Sequence, residues 1–257
     1  APDLLRFVSA ANFPSLTNSQ RYAILLLQPE ATRTAQDCDR LADAAIAAGK
    51  PQDALQHLEV ASARGGGAVR EFDRQYRRVE LLFQLGRSAE AIAAAGQWVE
   101  QEVRPPSDLV MMAELLAGHA QLPEADQLFG KAVEASKPGA DDRYALLRRW
   151  ALARQGVARC EKLLEAAALK PSGSQERREC VDLLRRELAT AVQADIAGQL
   201  ATKTTDAELA AELIFRQAEL TPDAARAAGL LGKLYEAKRL DAARLAWACQ
   251  TWNLAGQ

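Results

Sequence analysis

Asp43, Glu80 and Glu114 each stand six residues before a small residue, at Gly49, Gly86 and Ala120. Asp39 lies one helical turn from Asp43, and Tyr76 one turn from Glu80. Carboxylates that recur at one position of a repeated element share a face, and a negative face with an aromatic beside it attracts cations. A basic peptide, or a polymer carrying amines, would suit it. The competing reading is a wetted helix face that carboxylates keep soluble.

Other residues with chemical potential are few. The only imidazoles are His57, at an exposed-looking helix position, and His119, in a turn, and neither has an obvious catalytic partner. Gly65-Gly66-Gly67 lacks the following Lys and Ser/Thr of a phosphate loop and reads as a turn. No nucleophile elbow occurs. The carboxylates on helical faces are expected to pair with arginines one turn away. These features point away from an enzyme and away from any cofactor.

The four cysteines stand at 38, 160, 180 and 249, with no CxxC pair, and no zinc spacing is present. They read as small buried apolar residues. Cys160 and Cys180 flank one apparent helix–turn–helix, which leaves a disulfide open in an oxidising compartment. Arginine clusters occur at Arg74, Arg77 and Arg78, at Arg148, Arg149 and Arg154, and at Arg177, Arg178, Arg185 and Arg186. Acidic residues interleave with the last set, so a solvated face is the simpler reading and a dock for an acidic partner the alternative.

The elements that must carry these residues are helices. Alanine supplies 53 of the 257 residues, and aromatics only 5%. Alanine loses no side-chain entropy in a helix, whereas strands favour aromatic and β-branched residues. A net charge of -2 gives no basic field for nucleic acid. The apolar run Ala23 to Leu27 is far too short to span a bilayer, so no membrane insertion is expected. No signal-peptide pattern opens the chain.

Segments 47–61, 84–98 and 118–132 repeat a pattern. After the small residue comes an alanine five positions on (Ala54, Ala91, Ala125), then Leu58, Ala95 or Phe129, then Ala61, Trp98 or Ala132. Gly49 to Gly86 is 37 residues, and Gly86 to Ala120 is 34. Near the end, Leu231-Gly232-x-x-Tyr235 is followed by Ala243 and Trp247, with Pro222 just ahead. This pattern resembles the tetratricopeptide (TPR) repeat, a hairpin of two helices with a period of about 34 residues.

The resemblance implies an all-α fold, a TPR-like α-solenoid of stacked antiparallel helix hairpins, here read as one domain over 1–257. Good repeats are expected at 35–68, 72–104, 106–137 and 225–254. Residues 139–222 are degenerate and are read as two irregular hairpins, with one long helix from Ser174 to Leu200. The small residues at 49, 86 and 120 are read as points of close helix approach. Loops are placed at Gly65–Gly67, Pro105-Pro106, Lys137–Gly139 and Pro171–Gly173. Both ends of the chain look cut from a longer array, because polar capping helices are missing.

In such a solenoid the first helix of each repeat lines the concave groove. Asp39, Asp43, Tyr76, Glu80 and Glu114 would therefore face it as an acidic ladder, ending near Arg148. The implied role is a non-catalytic scaffold for another protein. The Ala- and Arg-rich repeats also resemble the periplasmic TPR region of bacterial exopolysaccharide export outer-membrane proteins of the Pel type. That resemblance implies a periplasmic place, a polymer-modifying enzyme as partner, and a cationic polysaccharide within reach of the groove. The alternatives are a groove that grips cationic polymer or basic peptide directly, and a cytoplasmic TPR regulator or co-chaperone.

Overall fold

The computed structural model describes residues 16–65, 67–101, 104–136 and 141–256. The expected turn at Gly66, the loop Lys137–Gly139 and residues 1–15 lie outside the described residues. Among the described residues there are fourteen α-helices and no strand. They are α1 (Asn18–Leu25), α2 (Ala35–Ala47), α3 (Pro51–Ala63), α4 (Ala68–Gln84), α5 (Ser88–Gln101), α6 (Pro106–Gly118) and α7 (Leu122–Ala135). Then come α8 (Asp141–Leu152), α9 (Gly156–Ala168), α10 (Gln175–Glu187), α11 (Ala194–Lys203), α12 (Ala207–Leu220), α13 (Ala224–Glu236) and α14 (Ala242–Leu254). The fold is all-α, with consecutive helices packed as hairpins in the TPR-like solenoid manner. The chain forms two compact units, Ala1–Glu124 and Ala125–Gln257.

Local signals start these helices. Thr17 and Thr34 build reciprocal capping boxes with Gln20 and Asp37, satisfying amides that the first turn leaves without partners. Ser174, Asp206, Asp223 and Asp241 cap α10, α12, α13 and α14. Pro51 and Pro106 stand in the first turn of α3 and α6, where no amide is needed.

The repeated small residues do something other than permit close packing. Gly49 and Gly86 have φ of 72°, and Ala120 has φ of 60°. Each sits just past a helix end, in a Schellman turn. Lys50 N–H donates to Ala45 O and Gly49 N–H to Ile46 O, and the same pair of bonds recurs at Arg87 and Gly86 and at Gln121 and Ala120. A methyl group built on Gly49 or Gly86 would meet nothing within 4 Å. The expectation of close approach is therefore corrected: the position is conformational, and left-handed backbone is why glycine suits it. Lys238, with φ of 54°, makes the same turn after α13.

Each unit has its own core. Around α1 to α3 it contains Tyr22, Leu25, Leu41, Ala42, Ala45, Ala54 and Leu58. In the second unit, Phe215, Ala218, Leu231, Leu234 and Ala248 cluster, with Trp247 and Trp252 packed against them.

Ion pairs join next-but-one helices. Arg74 and Arg77 of α4 reach Asp39 and Asp43 of α2. In the second unit Arg148 of α8 meets Glu179 of α10, Arg185 of α10 meets Glu212 of α12, and Arg244 of α14 meets Glu212. On the other set of helices, Lys203 of α11 pairs with Glu161 of α9, and Arg226 of α13 with Asp195 of α11. Odd and even helices of the second unit thus form two alternating layers.

This alternation corrects the reading of 139–222. The expected long helix from Ser174 to Leu200 is two helices, parted after Glu187, so five helices occupy the region rather than the four of two hairpins. The α13–α14 hairpin consequently falls out of step. Its first helix, α13, shares a layer with α9 and α11 rather than with α8, α10 and α12.

Candidate functional site

The five residues of the expected acidic ladder divide into two groups. Asp39 and Asp43 on α2 are each held by an arginine of α4. Arg74, fully buried, donates Nε to Asp39 Oδ1 at 2.7 Å and Nη2 to Asp39 Oδ2 at 2.9 Å, and its Nη1 donates to Gly65 O at 2.9 Å. Two parallel bonds of this kind are strong and directional. Asp43 pairs with Arg77, whose Nε also meets Asp73 at 3.2 Å. Partial burial pushes the Asp43 carboxyl above its ordinary range; Arg77 pulls the other way, and Asp73 and Asp39 add to the rise. The charge of both aspartates is compensated within the fold.

Tyr76, Glu80 and Glu114 form the second group. Burial raises the Tyr76 phenol above its usual range, and the fields of Glu80 on its own helix and of Glu114 on α6 raise it further. The two glutamates therefore act on one ring, and all three side chains are half-buried. The Tyr76 ring stands 6.0 Å from that of Phe72, which in turn lies 5.2 Å from buried Trp98 of α5. These ring contacts pack α4 against α5. An aromatic ring in the field of two carboxylates can attract a Lys or Arg side chain by cation–π and charge together.

Arg74 and Arg77 read in the sequence as part of a solvated arginine cluster. Arg74 lies 35 residues after Asp39, and Arg77 lies 34 after Asp43, one repeat length in each case, a spacing that marks neighbouring repeats without saying which side chains pair.

A shallow recess of about 280 Å³ opens between α1 and α2, lined by Asn18, Arg21, Leu25, Arg40, Asp43, Ala44 and Ala47. His57 of α3 meets Tyr22 of α1. Its Nε2 is 2.9 Å from the hydroxyl of buried Tyr22, which also donates to Asp53 at 3.2 Å. Burial and Arg33 lower the His57 imidazole, and burial with Asp53 pushes the Tyr22 phenol up to about 12. That group ties α1 to α3. His119 stacks on Phe83 with ring centres 4.1 Å apart.

Cys160 and Cys180 are both free, buried thiols, and Cys38 and Cys249 are free as well. Cys180 contacts the Tyr144 hydroxyl at 3.8 Å. An oxidising compartment thus gains no support from a disulfide in the structure. No group of three or more His, Cys, Asp and Glu is placed to hold a metal ion among the described residues. Among those residues, too, no helix is long and apolar enough to cross a membrane.

No protein-family model matches the chain. Comparison with curated proteins finds no significant match either. Among solved structures, the chain is similar to the C-terminal part of a TPR repeat-containing protein from Cytophaga hutchinsonii, at 15% identity and a TM-score of 0.45, over 86% of this chain and 84% of that one.

Proposed function

We propose that the protein is a non-catalytic scaffold for protein–protein interaction, and that the α4–α6 face of its first unit receives a basic segment of a partner. Stacked helix hairpins offer extended surfaces for such contacts. The observation that carries the reading is that Tyr76, Glu80 and Glu114 are all half-buried on α4 and α6, near enough for both carboxylates to raise the Tyr76 phenol. Asp39 and Asp43 have a different part: compensated by Arg74 and Arg77 respectively, they brace α2 against α4 and keep the face in shape.

The test is a titration of fluorescently labelled oligolysine at low ionic strength. Binding should weaken at least severalfold in the Glu80→Gln, Glu114→Gln double variant and fall with added salt, since exposed charges are screened. Absence of binding by the wild-type chain, or equal binding by the variant, would refute the basic-segment reading.

The sequence resemblance supports a finer proposal: a bacterial envelope assembly that modifies or exports exopolysaccharide, with a polymer-modifying enzyme as partner. A partly deacetylated glucosamine oligomer should then compete with oligolysine while its fully acetylated counterpart does not. Equal behaviour of the two sugars would remove the polymer from the proposal and leave the scaffold.

A further inference from the structure

Between α10 and α11 the chain turns with no glycine or proline from Gln175 to Ala197. The local signal is Thr190-x-x-Gln193, half of a capping box, in which Gln193 Oε1 accepts from the Thr190 amide and hydroxyl. The turn is also held from outside. Arg216 of α12 donates Nε to Leu188 O at 2.7 Å and Nη2 to Arg185 O at 3.1 Å. A continuing helix would give those carbonyls its own amides. Gln193 completes the turn: its Oε1 accepts from the amides of Ala189 and Thr190 at 2.9 and 3.0 Å, and its Nε2 donates to Glu187 O at 2.7 Å.

Arg216 is positioned in turn by a line of charges. Its Nη1 donates to Glu219 at 2.9 Å. Arg185 Nη2 donates to both Glu219 oxygens at 3.2 Å, and Arg185 Nη1 to Glu212 Oε1 at 3.3 Å. The other Glu212 oxygen accepts from Arg244 of α14 at 2.5 Å. The five side chains are between 17% and 36% exposed, so salt screens them less than surface pairs. The line runs unbroken from α14 to the turn after α10, and each carboxylate is shared by two arginines on different helices or turns.

We propose that this line is a conformational relay, in which the seating of α14 through Arg244 governs whether the α10–α11 turn stays broken. The two states of the turn are the observed break, with its carbonyls given to Arg216, and a helix running on through Leu188. The Thr190–Gln193 contacts favour the break, and Arg216 adds the hold that makes it firm. Displacement of the last helix frees Glu212, Arg185 then redistributes between Glu212 and Glu219, and Arg216 loses its fixed anchor. The relay operates within the second unit and is independent of the acidic face proposed for the first.

Hydrogen–deuterium exchange of the full chain tests it. Arg244→Gln should raise uptake at residues 187–193 severalfold, along with uptake in α14, and Glu212→Gln should do the same. Arg244→Lys, which keeps the charge but only a single contact, should fall between. Trp252→Phe is the comparison: it removes the indole donor to Ala228 O at 3.1 Å near the other end of α14 and leaves Arg244 seated on Glu212. Its uptake change should stay in α13 and α14. A change confined to α14 in Arg244→Gln, or a change at 187–193 of equal size in Trp252→Phe, would overturn the relay.

Discussion

Arg74 and Asp39 are joined by a bidentate ion pair in which the base is inside and the acid is at the edge: Arg74 is 2% exposed, and Asp39 22%. The pair spans one repeat and fixes α4 on α2. Its asymmetry sets the outcome of mutation. Asp39→Ala leaves the buried guanidinium with only Gly65 O and Glu71, the latter at 3.6 Å, and should destabilise the first unit by about 3 kcal/mol. Arg74→Met replaces the guanidinium by apolar volume and leaves an aspartate that can turn to water, so the loss should be clearly smaller. Urea unfolding of the two variants checks the order; a larger loss for Arg74→Met would contradict it.

The Schellman turns give a prediction of opposite sign at equivalent positions. Ala120 holds a left-handed conformation that glycine adopts freely, so Ala120→Gly should stabilise by about 1 kcal/mol. Gly86→Ala should lose a similar amount, and with nothing near the added methyl group the loss is one of backbone alone. Thermal melts of both variants measure it.

Acid should weaken the second unit through Asp206. Two bonds from Arg177, each 2.8 Å, with help from the amides of Leu209 and Glu208, hold its carboxyl down at about 2, against an ordinary 3.8. A depressed carboxylate contributes stability that is present above its unfolded value and is lost as pH falls through its folded one. Here about 2 kcal/mol should disappear between roughly pH 4 and 2. Asp206→Asn keeps the helix cap but should flatten the stability profile in that window. An unchanged slope would assign the acid sensitivity elsewhere.

Thiol reactivity should separate the cysteines. Cys249 is exposed, whereas Cys38, Cys160 and Cys180 are buried, and burial with the field of Glu187 pushes Cys160 up to about 12. Little thiolate forms at such a site, and thiolate is the reactive species. Native protein should show one fast thiol and, on unfolding without reductant, three more. A total of two would mean that Cys160 and Cys180 are bridged in solution.

The repeat register was legible because it is written in local chemistry. Gly49 and Gly86 mark helix ends wherever they stand, since a left-handed residue is needed there regardless of what packs nearby. Their role was misread as close packing because periodicity locates a residue but does not say which of its properties recurs. The acidic position at 43, 80 and 114 was legible as a pattern too. Its division into a braced pair and a face around Tyr76 was not, because it depends on arginines one repeat away.

Alanine content, capping residues and the spacing of turns specify an all-α chain of hairpins without further help, because each acts over one or two helical turns. The break after Glu187 has only part of its cause nearby, in Gln193 folding back on Thr190. Arg216, 28 residues from Leu188, adds the rest from another helix. Charge compensation at Asp39 and Asp43 likewise came only with folding: an ion pair is decided by which side chains the packed helices bring within reach, a distance that residue order does not contain.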